Sequence, residues 1–411
     1  ATQIPGRYAT LLSNIFQMLG TFETDDFEYT RSAPNVGVFL SDSAMFQRDY
    51  PGLDERVIRK LHDETASGSI KIKPTDRDTA LAFAASIAFP HFYGLTLPLL
   101  KGGLPVRPVQ LENATRYPGY LNGYDLLVIS YEFMKPAGAE VNAALATYVQ
   151  DGGTLVYCGD GGDPFHSIRA WWNTGINHYA SPLEHLLYLM NLKEDVLDGI
   201  YPYGKGRFVL NRLSPALLCL DNGLSQEYQT EISALLQYPL DQNHISLRRG
   251  PYTITAVMDE CATGEPVVHK GLYADMLTTA FDIVRTKTVP PKSYAVLYDL
   301  NSTAEESLAI IGSSIRITEL RSDTGGFTLT GCGPDDIQAN IRLRLPKEPK
   351  TIHGTLYPLA VSSSAPAPQE TAEDRPASLP VEHCWDNETG TVLISFDCKA
   401  GNIRLTGVYA Q

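Results

Sequence analysis

The feature that most constrains this chain of 411 residues is a change of hydrophobic period near residue 241. Before it, short continuous apolar runs alternate with helix-like segments; after it, apolar and polar residues alternate one by one. Continuous runs predict strands buried on both faces, whereas strict alternation predicts strands buried on one. One chain therefore needs two different cores, and at roughly 100 to 200 residues per domain its length allows them.

The first apolar run is Val36-Gly37-Val38-Phe39-Leu40, followed by Ser41-Asp42-Ser43. Residues 80–100 read as helical around an interruption at Pro90, and 105–111 as a second strand. Asp125-Leu126-Leu127-Val128-Ile129-Ser130 is a third strand, and 137–150 an amphipathic helix stopped by Asp151-Gly152-Gly153. Thr154-Leu155-Val156-Tyr157-Cys158 is the fourth strand and 206–210 the fifth. Strands alternating with helices predict a doubly wound, flavodoxin-like parallel sheet over residues 33–240. Residues 252–258, 315–320, 327–330, 341–345, 392–396 and 403–409 then alternate with period two, predicting an antiparallel β-sandwich over 241–411. The longest helical pattern there is 302–311. Residues 362–379, rich in Pro, Ala, Ser and acid, read as a mobile surface loop. Residues 1–32 precede both domains, with a helix over 4–21 carrying Tyr8, Leu11, Leu12, Ile15, Phe16 and Leu19, and a linker. A lone helix of this kind must dock on something.

Lys and Arg number 33 against 47 Asp and Glu, a formal charge of -14. That surface repels phosphate backbones and argues against nucleic acid, while neutral sugars remain compatible with it. No apolar run approaches the roughly 20 residues of a membrane span and no signal peptide opens the chain, so a cytoplasmic protein is expected. The start at Ala1 leaves processing or truncation open. Six scattered cysteines without C-x-x-C pairs predict buried small hydrophobes rather than zinc or redox sites. No cofactor is implied.

In an open α/β sheet ligands bind beyond the carboxyl ends of the strands. Those ends are polar here: Asp42 and Ser43, Glu112, Glu132, then Asp160 and Asp163. If the strands are parallel, these groups share one rim, which either binds a polyol or cation, docks a subunit, or merely forms turns, for which Asp, Ser and Gly are suited. Trp171 and Trp172, in an aromatic and His-rich segment, are candidates for sugar stacking or an interface. The spacing of His178 and His185 misses i, i+4, so no metal site is expected. Cys158 stands where class I glutamine amidotransferases carry their nucleophile. The elbow needs small residues two before and two after it, and Val156 and Asp160 occupy those positions. Asp160 and Asp163 would raise its thiol pKa, and no His-x-Glu follows. An inert core cysteine is expected.

The first strand with Ser41-Asp42-Ser43, Phe92-Tyr93-Gly94-Leu95, Gly123-Tyr124-Asp125 with the third strand, and Tyr148-Val149-Gln150-Asp151-Gly152-Gly153-Thr154-Leu155-Val156 together resemble the part that follows the barrel in trimeric β-galactosidases and related family-42-like glycoside hydrolases. Arg248-Arg249-Gly250-Pro251-Tyr252, Gly333-Pro334 and Arg342-Leu343-Arg344-Leu345-Pro346 resemble the β-rich C-terminal region of such hydrolases. The resemblance implies an amidotransferase-like trimerisation domain that has lost its nucleophile, and self-association as a homotrimer. In such a trimer the rim would face a neighbouring catalytic barrel, with Asp42, Glu132 and Trp171 lining a sugar path. The chain departs from the family in one respect: no eightfold β/α alternation supplies a barrel, so no catalytic carboxylate pair carries over. Residues 45–78, with Arg48, Asp49, Arg56, Arg59 and Lys60, look like an added loop or helical cap. The expected function is thus an oligomerisation and accessory module acting on carbohydrate. A carbohydrate-binding protein using the rim and Trp171/Trp172, and a cysteine-dependent amidotransferase-like hydrolase, are the alternatives.

Overall fold

The computed structural model describes residues 5–22, 27–45, 89–258, 263–302, 308–357 and 376–410. The chain forms two compact units: Ser32–Ile245 with Met258–Gly264, and Ala1–Arg31 with Ser246–Val257 and Glu265–Gln411. Helix α1 (Gly6–Leu19) and the short strand β1 (Glu28–Tyr29) open the chain and belong to the second, β-rich unit.

The α/β unit is built on a six-stranded mixed sheet. Its strands are β2 (Val36–Leu40), β3 (Val106–Gln110), β4 (Leu126–Ile129), β5 (Thr154–Cys158), β6 (Gly199–Tyr203) and β7 (Gly206–Asn211), in the order β3-β2-β4-β5-β7-β6. Five run parallel, and β6 pairs antiparallel with β7 as a hairpin edge. The sheet is therefore mixed rather than wholly parallel. The apolar runs are continuous because successive side chains enter two cores. Leu127, Ile129, Leu155, Tyr157, Phe208 and Leu210 pack with helices α4 (Ala139–Gln150) and α5 (Pro182–Leu189). Leu126, Val128, Val156, Cys158 and Val209 pack on the opposite face with α2 (Pro90–Lys101) and α7 (Asn222–Leu236).

Ser181 caps α5 by accepting from Glu184 N, and Gly152, at φ 127°, follows the end of α4. Pro90 is the first residue of α2. Proline suits the first helical position because the N–H it lacks would have no intrahelical partner there. Residues 80–88 of that expected helix, and the expected cap over 46–78, lie outside the described residues. Helix α7, without an expectation from the sequence, is capped by Asp221, whose carboxylate accepts from Gly223 and Leu224 N at 2.7 and 3.1 Å. Gly94 of α2 lies against the short helix α6 (Pro215–Leu218); a Cβ there would stand 1.7 Å from Pro215 O.

Among the described residues the β-rich unit holds three antiparallel sheets, one more than the two layers of the expected sandwich. A six-stranded sheet combines β1 with β8 (His244–Arg249), β9 (Tyr252–Val257), β10 (Val267–Asp275), β11 (Ile283–Val289) and β12 (Ser293–Asp299). A four-stranded sheet contains β13 (Ala309–Ser313), β16 (Ile337–Arg344), β19 (Glu382–Asp386) and β20 (Thr391–Cys398). A five-stranded sheet contains β14 (Arg316–Ser322), β15 (Gly326–Gly333), β17 (Pro349–Tyr357), β18 (Ala377–Leu379) and β21 (Gly401–Tyr409). The last two share one core, in which Ile341, Leu343, Val392 and Ile394 meet Phe327, Leu329, Ile403 and Leu405. Residues 309–311, expected in a helix, begin β13; its β-branched Ile310 and Ile311 fit a pleated ladder better than a short helix. Of the expected loop, residues 362–375 lie outside the description, and 377–379 form β18 against β17.

Helix α1 docks on this unit through a mainly polar stripe, with Leu11, Leu12 and Ile15 of the expected apolar set half-buried. Thr10, Asn14 and Met18 are buried, whereas Tyr8, Phe16 and Leu19 are 55%, 69% and 52% exposed. Hydrogen bonds outweigh the apolar stripe: Thr10 donates to Gln338 O at 2.9 Å, Ser13 to Ser314 O at 2.6 Å, and Asn14 to Thr278 O and Thr279 O. Ser314 Oγ returns a bond to Asn14 Oδ1 at 2.6 Å. Among the described residues no helix is long and apolar enough to cross a membrane. Replacing Asn14 by Ala leaves the Ser314 hydroxyl proton and Thr278 O without their partner, while Thr279 O keeps its bond from Asn340 Nδ2 at 2.9 Å. Such losses cost about 1–3 kcal/mol, and urea unfolding of Asn14→Ala should register a fall of that size with the slope unchanged.

Candidate functional site

The polar strand ends of the α/β unit converge as the parallel topology requires. Beyond β3, the Glu112 carboxylate accepts from Ser41 Oγ at 2.8 Å, Asp42 N at 3.0 Å and Gln110 Nε2 at 2.6 Å. Gln110 also donates to Asp42 Oδ1 at 2.9 Å. Beyond β2, the Ser43 hydroxyl donates to Lys135 O at 3.0 Å, with Ser41 Oγ 3.1 Å from the same oxygen, and Lys135 N donates to Ser43 Oγ at 2.6 Å. The loop after β4 is thereby tied to the end of β2.

From that loop the Lys135 side chain runs back into the protein. Its ammonium donates to Tyr131 O at 2.6 Å and forms an ion pair with Asp163, beyond β5. The Asp163 carboxylate also accepts from Phe133 N at 2.6 Å and Phe165 N at 2.7 Å. Burial pulls the Lys135 pKa below the usual lysine value, and Asp163, then Glu132, oppose that shift. Phe133 holds a positive φ of 56°, uncommon for a bulky residue. Its ring stacks on His91 at 4.5 Å and meets Phe165 edge-on at 5.6 Å.

Glu132 is 2% exposed and accepts from Gly161 N at 2.9 Å, with His166 Nε2 at 3.5 Å. Asp160 accepts from Gly162 N at 2.9 Å in a tight turn. Glu132, Asp163 and His166 offer ligand-type atoms within 4.8 Å of one another, a set that metals use. The cationic role beside Asp163 is already taken by Lys135. His166 Nδ1 is buried without a partner among the described residues, so the second hydrogen bond that normally orients a metal-bound imidazole is absent.

The tryptophans separate. Trp172 is 2% exposed and its indole N–H donates to His166 O at 2.9 Å, which makes it a core residue. Trp171 stays half-buried, donates to Pro136 O at 2.9 Å and meets Trp172 and His185 edge-on. The two indole planes stand at 89° to each other. His185 is buried beside Asn142, whose amide group reaches its Nδ1 at 3.1 Å, while His178 is exposed.

Cys158 closes β5 in the interior, 0% exposed, with Sγ 3.5 Å from Leu213 O. Burial first, then Glu231, Glu132, Asp160 and Asp198, push its thiol pKa well up. Asp160 acts as expected, Asp163 has no part, and Glu231 comes from the unexpected helix α7. Ser41, Gln110, Lys135 and His166 complete the rim without an expectation. Lys135 and Asp163 stand 28 residues apart, and only the adjacency of β4 and β5 brings them together.

No family model matches the chain, and no curated protein matches it. Solved structures similar to it include the cold-adapted β-galactosidase from Rahnella sp. R3, at 13% identity and a TM-score of 0.35, over 65% of this chain and 41% of that one. A catalytic mutant of a GH42 β-galactosidase from G. stearothermophilus aligns at 12% identity and 0.36, over 66% of this chain and 40% of that one. α-L-Fucosidase isoenzyme 2 from Paenibacillus thiaminolyticus aligns at 10% and 0.26, over 94% and 50%. The chain thus spans at most half the length of these enzymes, and likeness at this level carries no argument about function.

His91, beside the rim, generates a pH test. Burial, opposed by Asp163, lowers its pKa from 6.5 to about 4. The folded state therefore binds fewer protons than the unfolded chain between pH 6.5 and about 4, and stability falls as pH drops through that window. At 1.36 kcal/mol per unit the loss is about 3 kcal/mol. His91→Phe keeps an aromatic ring against Phe133 and cannot titrate. Urea midpoints from pH 7 to pH 4 should fall more for the wild type than for the variant, and parallel curves would refute the assignment.

Proposed function

We propose that this chain is an assembly and accessory module of a glycoside-hydrolase-like protein acting on carbohydrate, with the catalytic barrel absent from this chain. The observation that carries the reading is the sealed end of β5. The cysteine in the amidotransferase position is enclosed in the core with its thiol pKa raised. The carboxylates Glu112, Glu132 and Asp163 are engaged by neighbouring donors. Those groups hold loops together rather than await a substrate.

The α/β unit is read as flavodoxin-like: its five parallel strands in the order β3-β2-β4-β5-β7 follow the 2-1-3-4-5 arrangement of that class. The four- and five-stranded sheets, with their common core, are read as a β-sandwich. The β-galactosidase-related resemblance of the strand and helix sequences supplies the carbohydrate context and the homotrimer. Edge strand β6 suits self-association on physical grounds, since its outer edge pairs with no strand among the described residues and Leu197 and Ile200 beside it are 78% and 57% exposed. Sugar binding at the rim has less support, because Trp172 is interior and the carboxylates are engaged.

Two measurements test the proposal. Light scattering should give about three times the 45.1 kDa chain mass, and Leu197→Asp combined with Ile200→Glu should lower it; a strict monomer at high concentration overturns the assembly reading. In thiol labelling at neutral pH, exposed Cys384 should react while Cys158 stays protected until the protein unfolds. Rapid labelling of Cys158 in the folded state would favour the cysteine-dependent alternative.

A further inference from the structure

The α/β unit has a second concave surface, at the amino end of its sheet. A cleft of about 450 Å³ opens where the turn before β4 and the end of α4 approach each other. Its volume falls within the roughly 300–1,000 Å³ of small-molecule sites. Tyr120, Tyr124 and Tyr148 line it, with Asn122, Thr147 and Asp151.

The tyrosines are held in place. Tyr148 Oη donates to Tyr124 O at 3.1 Å, and Tyr120 Oη accepts from Gln110 N at 3.1 Å. A Cβ on Gly153 would stand 2.3 Å from the Tyr148 ring, so that ring lies directly against glycine backbone. Fixed aromatic faces lose little entropy when a ligand stacks on them.

The polar lining is free to bind. Asn122 and Asp151 are exposed, and no side-chain hydrogen bond to another described residue engages either. The end of α4 offers no orphan acceptors for a cation. Thr147 O, Tyr148 O, Val149 O and Gln150 O accept from Asp151, Gly153, Gly152 and Lys205 N at 2.9, 2.9, 3.0 and 2.9 Å. Rigid aromatic rings beside one free amide and one free carboxylate match a pyranose, whose C–H face stacks while adjacent hydroxyls donate to the carboxylate and exchange bonds with the amide. Asp151 and the chain's net charge of -14 disfavour an anionic saccharide.

We propose that this cleft binds a neutral saccharide of one or two pyranose rings. The site is separate from the rim and independent of the assembly reading, which light scattering tests by itself. Calorimetric titration of the full chain with methyl β-galactoside, lactose and cellobiose should give saturable binding to at least one, with a dissociation constant on the order of 1 mM. Asn122→Ala combined with Asp151→Ala should weaken it by about tenfold or more, while Trp171→Ala leaves it unchanged. In the wild type, ligand-induced NMR shifts should concentrate on the rings of Tyr120, Tyr124 and Tyr148, a readout that does not depend on any variant folding. Absence of saturation with all three sugars, binding that the double variant retains, or shifts centred on Trp171 would overturn the proposal.

Discussion

The buried ion pair between Lys135 and Asp163 is the interaction on which the carboxyl end of the α/β sheet depends. Asp163 gathers the ammonium together with the backbone N–H groups of Phe133 and Phe165, and Lys135 spans from Tyr131 O to the serines after β2 through its own backbone. Removing one partner of such a pair leaves an uncompensated charge in the interior, a loss of about 3–5 kcal/mol. Three strand-end loops are thus joined through one pair. Its cost is desolvation, visible in the lowered Lys135 pKa, and its return is a rim with few groups left free.

That allocation shapes the functional reading. The end of an α/β sheet where ligands usually bind is here occupied by internal hydrogen bonds, and the thiol nearest it is enclosed. Free polar groups beside fixed aromatic rings occur at the amino end instead, where Asn122 and Asp151 border the tyrosine cleft. An excess of tyrosine, 22 against 14 phenylalanines, fits wet surfaces of this kind, although composition does not say where they lie.

Much of the architecture was legible. The apolar runs at β2, β4 and β5 are continuous because each strand feeds two cores, and the period-two segments at β20 and β21 alternate because each lines one. Strand β16 alternates in sequence yet is buried on both faces, with Asn340, Arg342 and Arg344 interior. Elements without that signature escaped. Strand β6, reading Gly-Ile-Tyr-Pro-Tyr, sits at an edge and is half-exposed, so burial never imposed a pattern on it. Helix α7 is largely polar, with only Tyr228, Ile232 and Leu235 buried. The six-stranded sheet of the β-rich unit was missed for a similar reason, as β10 and β11 are mostly half-buried or exposed. At the site, Asp42, Ser43, Glu112, Glu132, Asp160 and Asp163 were all marked, because strand ends are identifiable once strands are. Their partners Ser41, Gln110, Lys135 and His166 were not, since nothing in local spacing distinguishes them.

By itself the sequence determined the two kinds of core and the positions where polar groups crowd the ends of the parallel strands. Both follow from local periodicity, the alternation that burial on one or two faces imposes on neighbouring residues. Tertiary structure alone decided what those groups do. It paired Lys135 with Asp163, turned Trp172 into the core, and buried Thr10 and Asn14 of α1 while leaving Tyr8, Phe16 and Leu19 exposed. Each outcome depends on which donors and acceptors distant segments bring within hydrogen-bond reach, and chain-local patterns carry no record of that.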